Sequence, residues 1–188
     1  TFTESALNIS NNTSEVRFEF DEPVTGLSND ILVAEGGVIS NITQIDPRNY
    51  RATFVAGTGL ESLAYVELSG SYRDIAGNAG ASAKGYITVD TLRPELSVTP
   101  DRVPVAGTPI LFTLHFSEPV AEFTVDEIDL VNGSAETLTN VDDETFTVEV
   151  TPDELGTVRL RVVPDAIRDM HGNFGSFYTA SVMTAAIS

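Results

Sequence analysis

The chain has no cysteine and no tryptophan, and only two histidines and ten basic residues among 188. Without cysteine there can be neither disulfides nor a thiolate metal site. The compartment stays open on that count, because secreted chains can lack cysteine too. Against the ten basic residues stand twenty-eight acidic ones, for a formal charge of −18. Such a field repels nucleic acid and anionic lipid headgroups, both of which need clustered Lys and Arg. It is compatible with divalent cations, high salt or plain solubility. No apolar run is long enough to cross a bilayer, and no signal-peptide pattern opens the sequence. Strand-like residues begin almost at once (Phe2, Leu7, Ile9), which reads as a piece of a longer protein. Catalytic signatures are missing as well. There is no Gly-x-Ser-x-Gly, no His-Glu-x-x-His, and no phosphate-cradling glycine loop before a helix.

What is present is a repeat. Arg73-Asp-Ile-Ala-Gly-Asn-Ala-Gly80 returns as Arg168-Asp-Met-His-Gly-Asn-Phe-Gly175, with Asp74 and Asp169 at 169 − 74 = 95 positions. Phe20-Asp-Glu-Pro-Val24 returns as Phe116-Ser-Glu-Pro-Val120, with 119 − 23 = 96 between the prolines. One inserted or deleted residue in between would reconcile the two offsets. The expected organisation is therefore one repeat over residues 1–89, a linker over 90–94, and a second repeat over 95–188. Each is above the size at which a hydrophobic core becomes marginal.

Most segments alternate with a period of two, which sets one face on a core and the other in water. Phe112, Leu114 and Phe116 do so, as do Phe146, Val148 and Val150, and Val158, Leu160 and Val162 with Arg159 and Arg161 between them. In the first repeat Val16, Phe18 and Phe20, then Tyr50, Ala52 and Phe54, follow the same rule. Ala64, Val66 and Leu68 follow it less regularly. Turn residues interrupt at Gly36-Gly37, Asp46-Pro47, Asn132-Gly133, Asp142-Asp143 and Pro152-Asp153. Short strands at that spacing predict an all-β fold of two tandem immunoglobulin-like β-sandwiches joined end to end by a short linker. About seven strands are expected per repeat. In the second they fall near 95–99, 110–117, 127–131, 134–139, 144–151, 157–163 and 176–185, and the first ends on an edge strand from Gly85 to Val89.

Phe116 to Val120, an Asn132-Gly133 hairpin, the strand Thr145 to Val150, Arg168 to Asn173, and the linker Val89 to Pro94 together carry a family likeness. The chain resembles the tandem bacterial immunoglobulin-like (Big-type) repeats of large surface and secreted adhesin-like proteins. The first repeat departs from the pattern at Asp21 and at Gly36-Gly37. The resemblance implies a non-catalytic spacer or adhesive module, extracellular or on the cell surface, sometimes calcium-dependent, with neighbouring repeats of the same chain as partners. The alternative is an accessory module that binds a polysaccharide or a host protein.

If the first strand runs down a sandwich and the second returns, the Glu-Pro turn and the Asp-x-x-Gly-Asn loop share one end. Asp90, Glu118, Asp169 and Asn173 are then candidate ligands for calcium at the inter-repeat junction. Glu22, Asp74 and Asn78 form an equivalent, weaker and incomplete set. Carboxylates about 4 Å apart repel by roughly 4 kcal/mol at an effective dielectric near 20, which a hard cation would relieve. The same residues also suit a tight loop with no ion at all, since Asp caps backbone amides while Gly and Asn accept positive φ. His115, between Leu114 and Phe116, is expected to face outward, and His171 stands where the first copy has Ala76, so neither marks a catalytic centre. Four Asn-x-Ser/Thr triplets, starting at Asn8, Asn11, Asn41 and Asn132, read as turn chemistry.

Overall fold

In the computed structural model the alternating segments pair as strands, and the chain divides into two compact units, Thr1–Leu92 and Arg93–Ser188. The structure describes residues 1–103, 105, 107–135, 137–163, 165–176 and 178–183. Helical residues among these are confined to two single 3-10 turns, Asn29–Ile31 and Val125–Glu127.

The first unit contains β1 (Ala6–Leu7), β2 (Thr13–Glu19), β3 (Val24–Thr25), β4 (Leu32–Glu35), β5 (Gly37–Asp46), β6 (Asn49–Ala56), β7 (Glu61–Leu68), β8 (Arg73–Asp74) and β9 (Ala83–Asp90). One sheet has the order β1-β9-β7-β4 and the other β2-β6-β5, with β3 and β8 as a separate short ladder. The second unit contains β10 (Leu96–Pro100), β11 (Ile110–Phe116), β12 (Val120–Ala121), β13 (Ile128–Val131), β14 (Leu138–Asn140), β15 (Thr145–Val150), β16 (Thr157–Val162), β17 (Arg168–Asp169) and β18 (Tyr178–Met183). Its sheets are β10-β11-β15-β14 and β13-β16-β18, with β12 paired to β17.

Each core lies between two sheets, because every second residue of a strand points the same way. Ile110, Phe112, Leu114, Phe116, Phe146, Val148 and Val150 from one sheet meet Val158, Leu160 and Val162 from the other, all at most 3% exposed. In the first unit Val16 and Phe54 face Val66, Ile87 and Val89. A fully buried Val, Leu, Ile or Phe stabilises by roughly 1.5–3 kcal/mol relative to exposure. The first unit's interior divides, however. Ala52 lies with Leu32 and Leu68 in a smaller second cluster, where the second unit has Val148 in one continuous core.

The strand expected at the edge over Gly85 to Val89 is interior instead, since β9 lies between β1 and β7, and three further expectations need correction. Asn132-Gly133 is not a hairpin: β13 pairs with β16 and β14 with β15, so the turn carries the chain from one sheet to the other. Gly36-Gly37 makes the same crossing between β4 and β5. Gly36 and Asn132 both have positive φ, +77° and +59°. Gly37 admits no side chain, because a Cβ there would lie 2.3 Å from the Val55 carbonyl oxygen and 2.5 Å from the Phe54 ring. The strand expected over 134–139 shrinks to Leu138–Asn140, since Ser134 only bridges to Thr151; position 136 lies outside the described residues. The final strand is described from Tyr178 to Met183, and the remainder of the expected 176–185 includes positions outside the described residues.

The third correction concerns the copying. The offset is 120 − 24 = 96 at the Glu-Pro-Val turn, 162 − 68 = 94 where β7 and β16 meet β4 and β13, and 169 − 74 = 95 at the repeated loop. Two separate length changes, rather than one, thus leave the net difference of a single residue. From Ala52 to Leu68 the chain runs 68 − 52 = 16 positions against 162 − 148 = 14 from Val148 to Val162, and the connection from β7 to β8 is one residue shorter than its counterpart.

Candidate functional site

The repeated eight-residue stretch folds the same way twice, and each of its invariant letters has a local task. The Asp74 N–H donates to the Asn78 carbonyl at 3.0 Å, and the Asp169 N–H to that of Asn173 at 3.1 Å. Asp74 Oδ1 accepts from the Asn78 amide at 2.8 Å, while its Oδ2 accepts from Asn78 Nδ2 at 2.6 Å. Asp169 Oδ1 accepts from the His171 and Asn173 amides at 2.7 and 2.8 Å, and its Oδ2 from Asn173 Nδ2 at 2.7 Å. Gly77 and Gly172 have φ of +92° and +88°, a region that side chains disfavour. The closing glycines approach a neighbour instead. A Cβ on Gly80 would lie 2.1 Å from the Tyr72 ring, and one on Gly175 3.1 Å from Ile167 Cβ. Arg73 donates to the Gly77 carbonyl at 2.9 Å, whereas the Arg168 guanidinium stacks 4.5 Å over the Phe174 ring.

The Glu-Pro turn does lie beside this loop in each unit. Val24 pairs with Asp74, and Val120 with Asp169. The same valines reach a third turn, where the Val24 and Val120 amides donate to the Pro47 and Asp143 carbonyls at 3.0 Å each. In the first unit Asp46 holds that turn by accepting the Arg48 and Asn49 amides, and in the second Asp142 accepts the Glu144 amide at 3.0 Å. Hydrogen bonds depress these carboxylates below the usual range. For Asp74 the main cause is the Asn78 side chain, for Asp46 the Arg48 amide, and for Asp142 the Glu144 amide.

Of the candidate ligands, Asp169 and Asn173 are thus brought together and buried, and Glu118 stands two residues ahead of the strand that pairs with Asp169. In the first unit Asp74 and Asn78 are brought together by the same hydrogen bonds but are not buried, Asn78 being exposed, and Glu22 likewise stands two residues ahead of the strand that pairs with Asp74. Asp90 belongs to the first unit, at the end of β9, where Oδ1 accepts the Leu92 amide at 3.1 Å. Two of the four lone-pair positions of Asp169 are taken at Oδ1 and one at Oδ2, so it can offer a cation a single further position. Calcium takes six to eight oxygens. The hydrogen bonds within the loop therefore account for Asp and Asn at these positions before any ion is considered.

His115 faces outward, as its place on β11 requires, with Nδ1 at 3.3 Å from Thr145 Oγ1. Of the asparagines in the Asn-x-Ser/Thr triplets, Asn8 and Asn132 hold turns as expected, whereas Asn41 lies within β5 at the bulge between Ser40 and Thr43. Asn8 Oδ1 accepts the Asn11 amide at 2.7 Å, Asn41 has φ +58°, and Asn132 bonds both ways with Glu154 at 3.0 Å.

Sequence reasoning passed over the outer face of β4, β7 and β9. Tyr65 and Tyr86 are cross-strand partners with ring centroids 6.2 Å apart. Lys84 lies 3.8 Å over the Tyr65 ring and is ion-paired to Glu67 at 3.0 Å. Leu63 and Val33 extend the face, at 64% and 53% exposed. The corresponding face of the second unit carries Asp129, Arg159 and Arg161. The signal was the off-phase parity of Leu63 and Tyr65, opposite to Ala64 and Val66.

Two sandwiches of this strand order, with their loops closed on themselves, make the chain a tandem of immunoglobulin-like modules. Residues 1–89 and 90–186 each match the bacterial Ig-like domain, and the chain belongs to that family. No curated protein matches in sequence. Among solved structures, InvD of Yersinia pseudotuberculosis is 20% identical, with a TM-score of 0.41 over 99% of this chain and 56% of that one. Invasin, described as a bacterial integrin-binding protein, is 12% identical, with a TM-score of 0.47 over 100% of this chain and 39% of that one. The chain thus spans about half the length of the first of these and less of the second.

Proposed function

We propose that this chain is a non-catalytic structural module of a longer adhesin-like protein, extracellular or on the cell surface, in which tandem sandwiches space out other parts. The observation that carries the reading is the repeated loop. Its carboxylate, amide and glycines are spent on closing the loop itself, in both copies. Pulling on single molecules tests it. A spacer gives two successive unfolding events, each releasing about 90 residues at roughly 3.3–3.6 Å per residue, and refolds on relaxation. Unfolding as one event, or a turnover reaction found with the purified chain, would overturn it.

A second reading is favoured by the Tyr65–Tyr86 face, which the second unit does not repeat: an accessory module binding a polysaccharide or a host protein. A glycan and host-protein array probed with the wild type and with Tyr86→Ala tests this. Binding that the substitution abolishes supports it, and a blank array removes it.

Calcium remains a proposal for the loop of the second unit. Glu118, Asp169 and Asn173 would supply side-chain oxygens, and backbone carbonyls and water the rest. Extracellular modules bind it with dissociation constants of about 10⁻⁴–10⁻³ M, and tenfold excess over such a constant adds only about 1.4 kcal/mol. Calorimetric titration of the wild type beside Glu118→Gln is the test, since Asp169 also holds the loop. Heat that the substitution removes supports an ion there, and no heat disposes of it.

A further inference from the structure

The two units carry opposite chemistry on outer sheet faces built at equivalent places. Pairing sets Tyr65 between Glu35 and Tyr86, and Glu67 between Val33 and Lys84. The same ladder positions of the second unit set Arg159 between Val131 and Ser181, and Arg161 between Asp129 and Thr179. Val33, Glu35, Lys84 and Tyr86 are exposed on the first face, as are Asp129, Val131, Arg159 and Arg161 on the second. The first face is acidic and aromatic: Glu35, Glu61 and Glu67 outnumber Lys84, the sole lysine of the chain. The second reverses the balance, with two guanidinium groups to the one carboxylate of Asp129. In a chain of twenty-eight acidic and ten basic residues such a face is the exception.

Contacts within the first face hold its side chains without using them up. Lys84 bridges the Tyr65 ring and Glu67, and the Tyr65 side chain hydrogen-bonds to Glu35. Tyr86 keeps 57% of its surface exposed. Among the described residues no carboxylate is ion-paired to Arg159. Guanidinium groups stack on aromatic rings and pair with carboxylates through parallel N–H bonds. One already lies over a ring in this chain, Arg168 on Phe174. The two faces also match in register. Sheets that pack face to face do so nearly aligned, about 10 Å apart. With β7 laid over β16 in the same direction, β9 comes opposite β13. Glu67 then faces Arg161, Lys84 faces Asp129, Tyr65 faces Arg159, and Tyr86 faces Val131. Both charged pairs join opposite signs.

We propose that the outer face of the first unit receives a second copy of this chain, through the outer face of that copy's second unit. The contact goes beyond both readings above, because its partner is neither a glycan nor a host protein. Three strands spaced about 4.8 Å apart, and six residues long at about 3.3 Å each, cover roughly 300 Å². A stable partner usually contributes about 800 Å², so one contact is weak, and its repetition along a tandem array supplies the rest. Repulsion between two chains of −18 opposes the approach. The Debye length at physiological ionic strength is about 8 Å, which screens that long-range term but spares pairs in direct contact.

The test is sedimentation of the full chain over a range of concentrations at physiological salt, beside two single reversals, Glu67→Arg and Arg161→Glu. The wild type should gain apparent mass with concentration. Each reversal alone sets like charges face to face and should weaken association about tenfold or more. An equimolar mixture of the two restores one native pairing, Glu67 of one variant with Arg161 of the other, and should associate again. A second measurement keeps both faces native. Reductive methylation with an isotope label marks Lys84 alone among the side chains. Its NMR signal should shift as unlabelled wild type is added, but not as the Arg161→Glu variant is added. A wild type that stays monomeric with an unmoved Lys84 signal, association that survives both reversals, or folded variants that fail to rescue each other would each overturn the proposal. A blank glycan array leaves it standing, and a monomeric chain leaves the spacer reading standing.

Discussion

At the scale of single residues, the eight-letter repeat is a closed set of contacts, and its members differ in what their loss should cost. Asp169 is buried and satisfies three N–H donors. Asp169→Ala leaves buried donors without an acceptor, so the second unit should lose roughly 1–3 kcal/mol or more by chemical denaturation. The same loss is expected in a chelator as in calcium, if loop closure alone is at stake. At Gly77 no atom lies within 4 Å of an added Cβ, yet φ is +92°. Gly77→Ala should therefore cost about 1–2 kcal/mol through backbone conformation alone. Gly80→Ala acts through collision with Tyr72, and that cost should fall when Tyr72 is also shortened, as Gly77→Ala would not. Asp74 gives a pH dependence of definite sign. Its folded pKa lies below the ordinary carboxylate value, so its stabilisation is complete above about pH 4 and is lost as pH falls through the folded value. Relief of the −18 net charge acts the other way at low pH. The measurement is thus the difference in melting temperature between wild type and Asp74→Asn, which should be largest near neutrality and shrink toward pH 2.

At the scale of elements, the strands that alternate strictly were legible, because period two has one structural meaning. Phe112, Leu114 and Phe116 fall where their pattern puts them, as do Arg159 and Arg161 on the opposite face. What the letters do not carry is which strand pairs with which. Asn132-Gly133 looks like a two-residue hairpin because positive φ serves a hairpin and a sheet crossing equally well. The expected neighbourhood of the Glu-Pro turn and the Asp loop follows from strand direction alone, and each unit does show it. The competition between loop closure and ion binding could not be settled from residue types, since both want Asp and Asn. Packing also separates the copies. Where the first unit has Ala52, the second has Val148, fully buried. Val148→Ala should destabilise the second unit by roughly 1.6 kcal/mol from transfer alone, with a cavity term added. The check is whether its melting transition then moves toward that of the first unit.

At the scale of the whole molecule, two cores and no covalent staple imply two melting events. The first unit, with its divided interior, is expected to melt first in scanning calorimetry. Assignment follows from Phe54→Ala, which should lower only the earlier transition, and Phe112→Ala, which should lower only the later. Each removes a fully buried ring worth roughly 3–5 kcal/mol, a large part of the 5–15 kcal/mol usual for a domain.

The short connection between the units has one more consequence. Thr91 is buried in the first unit, its hydroxyl on the Gly57 carbonyl at 2.8 Å and its amide on that of Leu60 at 2.6 Å. Arg93 and Pro94 are held by the second unit, so Leu92 stands between fixed neighbours. A protease must draw several residues into its cleft, and here it would have to pull one or other module apart to get them. Digestion with an enzyme that cuts after leucine should spare the Leu92–Arg93 bond in the native chain and sever it once the first unit has melted. Cleavage at that one bond would then serve as a gauge of the weaker half, silent until it lets go.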